Sequence, residues 1–295
     1  MRDKTKHKTL FIMETFINRS QATKSTGLSY LGKCGSSSKL YKNSKVLNID
    51  TFVLYLAPWK SSGYQVCAMA TKECIDGCLS TSGRAGMEIL SGNESRIVAS
   101  RIKKTRMLFE NRDFFMNWLV AEIKASKALS ESKGNEFAVR LNGTSDLNWN
   151  AFKVNGKTLF ELFPNTQFYD YTKVPNRFNN MPDNYHLTFS YTGRNWSDCE
   201  KVLSNGGNVA VVFNVQKWYN SKPENGLLPL SFKGYEVLDG DTTDYRPMDK
   251  KGCIVGLRWK SIADKDAEKD VRNSVFVVDI NSNDCTFANE KVVTV

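Results

Sequence analysis

Cys67, Cys74 and Cys78 lie in one short polar stretch, "VCAMATKECIDGCLSTSGRAG", with six and three residues between them. Three thiols cannot all pair among themselves. A soft iron or zinc ion prefers thiolates, and a loop lets such ligands converge. The Cys74–Cys78 gap suits one helical turn, because residues four apart share a face. Three thiolates would leave one position open, on zinc or on the fourth iron of a four-iron cluster, as a catalytic centre requires. A closed structural zinc site would need a fourth ligand, which His186 or Cys253 can supply; the remaining reading is idle thiols. Gly83, Arg84 and Gly86 follow at once. They would let backbone amides approach an anion or cluster sulfurs, or they form an ordinary turn before a helix.

A second set of candidates is acidic. "VLDGDTTDYR" places Asp239, Asp241 and Asp244 within six residues at the end of an apolar run. With Asp146 and Asp170 they suit Mg²⁺ or Mn²⁺, general acid–base work, or the hydroxyl and amino groups of a ligand. Asp and Gly also recur in turns for local reasons. With only His7 and His186 present, a Ser-His-Asp hydrolase or a histidine-rich hydrolytic metal centre is disfavoured. The glycine motifs that cradle phosphates are absent. "SGNES" fits a glycosylation acceptor at Asn93 that a cytoplasmic protein would not use.

These groups need a frame. The chain has 295 residues and is 41% hydrophobic, enough for one large core. No apolar run reaches the roughly 20 residues that span a bilayer, and "TLFIM" is too short for a secretory signal. The expected location is the reducing cytoplasm of a bacterial host cell, with no membrane contact. Seven widely spaced cysteines in that setting argue against a disulfide framework. Residues 1–48 carry ten Lys or Arg against Asp3 and Glu14, so +8 of the net charge of +10 sits there. We read 1–48 as an irregular, partly flexible basic leader whose patch "LFIMETFI" can form a short helix. It is either a nucleic-acid-binding arm or a solubilising tail. Residues 49–295 are read as a single domain.

In that domain "TFVLYLAP" reads as a first strand, and Lys104–Lys133 carries a helical apolar spacing closed by Gly134. Seven more strand-like runs follow: "FAVRLNGTSD", "TQFYDYTK", "YHLTFSYTGRN", "NVAVVFN", "YEVLDGDTTDYR", "CIVGLRWK" and "SVFVVDI". "GKTLFELFPN", "VPNRFNNMP" and "WSDCEKVLSNGG" suit short helices between them. Alternating strands and helices predict an α/β fold with a parallel sheet, as a complete or partial (β/α) barrel-like domain; a doubly wound open sheet is the alternative. Residues after each strand would gather at the C-terminal edge, where such folds place ligands. This edge brings together Asn142, Ser145 and Asp146, Asp170 and Lys173, Tyr191 and Arg194, Asn214, the Asp239–Asp244 group with Arg246, and Arg258 with Lys260.

The chain resembles a known family. "YKNSKVLNIDTFVLYLAP", the cysteine loop, "RLNGTSD", "FYDYTK", "NVAVVF", "DGDTTDYR" and "VGLRWK" occur in the order seen in the phage and mobile-element family called the gene product 88 domain. The resemblance spans Tyr41 to Ile280 and implies a phage-type origin more firmly than a reaction. More distantly the plan is similar to radical S-adenosylmethionine enzymes, which hold a four-iron cluster on three cysteines after the first strand of a partial barrel. That likeness implies Cys67, Cys74 and Cys78 as cluster ligands and S-adenosylmethionine as a cofactor. Loop gaps of three and two are usual there, against six and three here, and "RLNGTSD" stands where a glycine-rich element is expected.

The resulting expectation is a phage-type iron–sulfur enzyme acting on a small-molecule or nucleotide-like substrate. Asp146, Asp170, Lys173, Asp241 and Asp244 would do proton work, and Arg84, Asn142, Ser145, Asp239 and Arg246 would bind cofactor or substrate. Arg84, Arg140 and Arg246 can clamp an anionic group. The alternatives are a Mg²⁺- or Mn²⁺-dependent hydrolase or nuclease with structural zinc, and a non-enzymatic nucleic-acid-binding phage protein.

Overall fold

A computed structural model of the chain describes residues 16–33, 37–92, 94–216 and 226–287. In chain order the strands are β1 (Ile49–Val53), β2 (Glu136–Arg140), the small hairpin β3 (Lys153–Val154) and β4 (Lys157–Thr158), β5 (Gln167–Thr172), β6 (Tyr185–Ser190), β7 (Asn208–Gln216), β8 (Ser231–Phe232), β9 (Tyr235–Asp239), β10 (Ile254–Trp259), β11 (Val277–Val278) and β12 (Cys285–Thr286). The helices are α1 (Arg19–Thr26), α2 (Ser38–Val46), α3 (Lys72–Asp76), α4 (Gly83–Leu90), α5 (Arg96–Glu110), α6 (Arg112–Glu131), α7 (Leu159–Leu162), α8 (Trp196–Ser204) and α9 (Lys265–Arg272). Each of the eight strand-like runs contains a strand. The single helix expected over 104–133 is two, because Asn111 (φ −143°, ψ 68°) leaves the helical region between α5 and α6.

Seven strands run parallel in the order β1-β2-β5-β6-β7-β10-β9. β11 adds to the far half of β7, and the other edge continues antiparallel through β8 to β12. The chain is thus a mixed α/β protein with a large, mostly parallel sheet, and a closed barrel is not shown. The reason lies at the far edge: β9 sits outside β10, and β8 then occupies the side that β1 would take to close a ring. Among the described residues β1 pairs with β2 and, through a bridge from Val53, with Gly32.

Strand alternation divides the side chains between two faces. Phe52, Phe137, Val139, Phe168 and Leu187 join the main core with Phe115, Trp118, Leu119 and Ile123 of α6. Each of these α6 side chains is fully buried, worth about 1.5–3 kcal/mol apiece in the usual transfer accounting. A second core gathers Phe189, Val209, Val211, Phe213 and Ile254 against α8. The opposite face carries Thr51, Arg140, Tyr169, Tyr171, His186 and Thr188, and is covered by α2 and the 240–249 segment: Asn43 of α2 donates to Thr51 Oγ1 (3.2 Å), and Tyr245 packs on Tyr169 (5.3 Å).

The described part of the basic leader is folded rather than irregular. Asn18 caps α1, and Ser37 caps α2. α1 packs on α6, where Arg19 Nε and Nη2 donate to Glu122 at 2.8 and 3.0 Å. Most of "LFIMETFI", and Asn93, lie outside the described residues.

Candidate functional site

The cysteine loop closes over the C-terminal edge of the sheet. It leaves the chain just after β1, and the Asp146 N–H donates to Val66 O (2.8 Å) in a parallel bridge that sets Cys67 beside Asp146. Thr71 caps α3 by accepting from the Cys74 N–H (3.2 Å). Glu73 pairs with Arg194 beyond β6 (2.7 Å), and the Ala263 N–H beyond β10 donates to Thr81 O (3.2 Å). One loop thus ties down the ends of β2, β6 and β10. Gly86 belongs to this docking, since a Cβ there would lie 2.2 Å from Thr81 O, while Gly83 (φ +60°) opens α4 in the left-handed region. The glycines serve the turn into α4. Arg84 is exposed and makes no hydrogen bond or ion pair among the described residues.

The three thiols are free, half-buried and near enough to act on one another. Burial pushes the Cys67 thiol up to about 11, with Cys78, Cys74 and Asp146 adding to it against an opposing Trp59 N–H (3.4 Å). Cations stand beside the trio. Burial pulls the Lys173 ammonium down, but Cys74 and Asp146 carry it above its ordinary value. Cys78 likewise acts on the Arg101 guanidinium, which burial pulls below its ordinary value. Among the described residues, no group of three or more His, Cys, Asp or Glu side chains is gathered tightly enough to hold one metal ion. His186 lies within β6 on the α2 face, and Cys253 precedes β10 at the N-terminal edge, so neither joins the loop.

The acidic candidates are already engaged. Asp146 accepts from Lys173 N (2.9 Å) and Arg177 Nη1 (2.6 Å). Asp239 and Asp241 share Arg258, and Asp241 also meets Lys39 Nζ at 2.7 Å. Burial would raise the Asp241 carboxyl, but Lys39 and the Arg258 N–H hold it at about 2. Asp244 accepts from Arg140 Nη1 (2.9 Å) and the Tyr169 hydroxyl (3.2 Å). Arg246, fully buried, donates to Thr243 O (2.6 Å) and pairs with Asp249 (3.2 Å).

Asp170 stands apart. Alternation points it to the α6 side, opposite Tyr169 and Tyr171, where it accepts from Asn142 N (2.8 Å), Leu141 N (3.3 Å) and the Tyr185 hydroxyl (3.0 Å). Burial pushes it up to about 7. Asn142 Oδ1 accepts from Ser145 Oγ, Leu147 N and Trp149 Nε1, so Asn142 and Ser145 lock the turn after β2. The predicted edge therefore assembles two groups, the thiols with Asp146 and Lys173, and the Asp239–Arg246 segment with Arg140. Sequence reading missed Lys39, Arg101 and Tyr171. The polar alternation of "QFYDYT" is the one signal from which Tyr171 could have been found.

The fold and loop define an α/β protein that carries a thiol-rich loop across the C-terminal edge of a mostly parallel sheet. The family model described as gene product 88 matches residues 16–288, and the chain belongs to this phage gene-product family. The match reaches further into the leader than the resemblance from Tyr41 suggested, in keeping with the packing of α1. No curated protein and no solved structure matches the chain significantly. No helix among the described residues is long and apolar enough to cross a membrane.

Proposed function

We propose that this gene product 88 protein is an iron–sulfur enzyme, with Cys67, Cys74 and Cys78 as thiolate ligands and the polar α2 face of the sheet as its substrate side. The observation that carries the reading is the trio itself: three half-buried thiols in one loop, at the strand C-termini, with Lys173 and Arg101 beside them. Those cations would offset thiolate charge that burial otherwise penalises. A single zinc would draw its sulfurs to within roughly 4 Å of each other, given Zn–S bonds of about 2.3 Å. A four-iron cluster spaces its sulfurs more widely, each on its own iron, so the two groups make different demands on the loop. When bound, such a cluster supplies one-electron chemistry at an open iron. The chain's own part is to hold the thiolates through Thr71 and the Asp146 bridge, and to cover the site with the loop.

The finer reading is a radical S-adenosylmethionine type of enzyme on a partial (β/α) barrel. It is supported by the loop's place after β1 and by the sequential order of the parallel strands from β1 to β7. The carboxylate–metal alternative draws less support, because Asp146, Asp239, Asp241 and Asp244 each already face Lys or Arg.

The test is anaerobic expression or reconstitution followed by iron, zinc and acid-labile sulfide analysis. The expected result is about four irons and four sulfides per chain, lost in Cys74→Ala. Zinc without sulfide, or iron retained by Cys74→Ala, would end the reading. Reductive cleavage of S-adenosylmethionine by the loaded protein then tests the finer form.

A further inference from the structure

Under α2 and the 240–249 segment, the α2 face of the sheet holds polar atoms with nothing to bond. Eleven buried side-chain nitrogen or oxygen atoms among the described residues lack a hydrogen-bond partner. Six belong to this face or to the 240–249 segment covering it: Arg140 Nε, His186 Nε2, Thr188 Oγ1, Asp241 Oδ1, Arg246 Nε and Asp249 Oδ2. Asp241 and Asp249 at least have ion-pair partners in Lys39 and Arg246. The Arg140 and Arg246 Nε–H groups and the Thr188 hydroxyl have none.

Two of these donors, on Arg140 and Thr188, flank Tyr171. Tyr171 pairs in register with Thr188, and Tyr169 with His186, so all four side chains share the face. The Arg140 guanidinium lies 5.1 Å from the Tyr171 ring. Burial pushes the Tyr171 hydroxyl up to about 12 although Arg246 and Arg140 both act to lower it. That hydroxyl makes no hydrogen bond among the described residues, and Tyr171 is half-buried, so water reaches the site on its side. Thr188 is fully buried and Arg246 is 1% exposed, so bulk water does not satisfy them. Buried donors are costly to leave unpaired, and two guanidiniums rank among the strongest donors to oxyanions. One water accepts two hydrogen bonds at most, whereas a phosphate or carboxylate group offers enough lone pairs for two Nε–H groups and two hydroxyls.

We propose that Arg140, Arg246, Tyr171 and Thr188 form a binding site for an oxyanion group, phosphate or carboxylate, on the α2 face of the sheet. The site does not rest on the iron–sulfur reading, since none of its residues is in the cysteine loop.

Isothermal titration of the full chain with inorganic pyrophosphate and, separately, citrate tests the site and distinguishes the two chemistries. We expect one probe to bind with unit stoichiometry. Tyr171→Phe and Thr188→Val, which keep shape and remove one hydroxyl each, should weaken it about tenfold, as expected for a hydrogen bond to a charged group. Lys124→Ala, at an exposed position of α6 on the other side of the sheet, should bind as wild type does. Circular dichroism and melting temperature identify a variant that failed to fold, and the other hydroxyl variant then decides. Binding of neither probe, or unweakened binding in a folded hydroxyl variant, would overturn the site. Loss of binding in Cys74→Ala would overturn it too, by assigning the anion to the thiol loop.

Discussion

At the residue scale, Asp170 shows how burial and topology set chemistry. It is fully buried on the α6 side, and its pKa near 7 reflects desolvation that the Arg140 charge and three donors only partly offset. An acid whose folded pKa lies above its unfolded one keeps its proton only in the folded state between the two values. Its contribution to stability is therefore fully present below about pH 4 and is lost as pH rises to about 7. Replacing it with Asn removes that dependence. Urea unfolding of wild type and Asp170→Asn across this window should show profiles that diverge by about 3 kcal/mol, wild type losing stability as pH rises. Parallel profiles would mean that the Asp170 pKa is the same folded as unfolded. The residue was legible in the sequence as a polar group within a strand, but its face was not, and that face separates it from the thiols and from Asp244.

At the element scale, α1 turns part of a basic leader into structure. Glu122 of α6 is fully buried, and its carboxylate depends on two donors from Arg19 and one from Leu31 N (3.1 Å). Arg19→Met would leave that charge buried with a single backbone donor. The expected cost is about 3 kcal/mol, read as a lower urea midpoint with unchanged slope. A change under about 0.5 kcal/mol would mean that α1 does not dock as described. Charge counting could not find this contact, since Arg19 looks like any other cation of the leader until Glu122, 103 residues away, is placed beside it. The break at Asn111 was hidden for a related reason, because apolar spacing continues across it while the backbone does not.

For the whole molecule, the cysteine loop joins elements distant in the chain: Val66 to Asp146, Glu73 to Arg194, and Thr81 to Ala263. A ligand that binds the folded loop must then stabilise the whole sheet by mass action. Protein reconstituted with iron and sulfide should melt several degrees above chelated protein, and the difference should vanish in Cys74→Ala. Equal melting of loaded and chelated wild type would show that the loop binds no metal that matters to the fold.

The sequence by itself determined the strand-forming runs, the α/β class, the family and the closeness of three cysteines. All of these rest on local pattern: β-branched and aromatic runs between polar breaks, and the short spacing of thiols. Tertiary structure alone decided that β9 lies outside β10, that Lys39, Arg140 and Arg258 neutralise the acids, and that Arg140 lies against the Tyr171 ring on the α2 face. Strand order and ion pairing depend on contacts beyond any local window, 19 positions for Asp239 with Arg258 and 104 for Arg140 with Asp244. They are settled by which faces can be buried together, and local pattern carries no record of that choice.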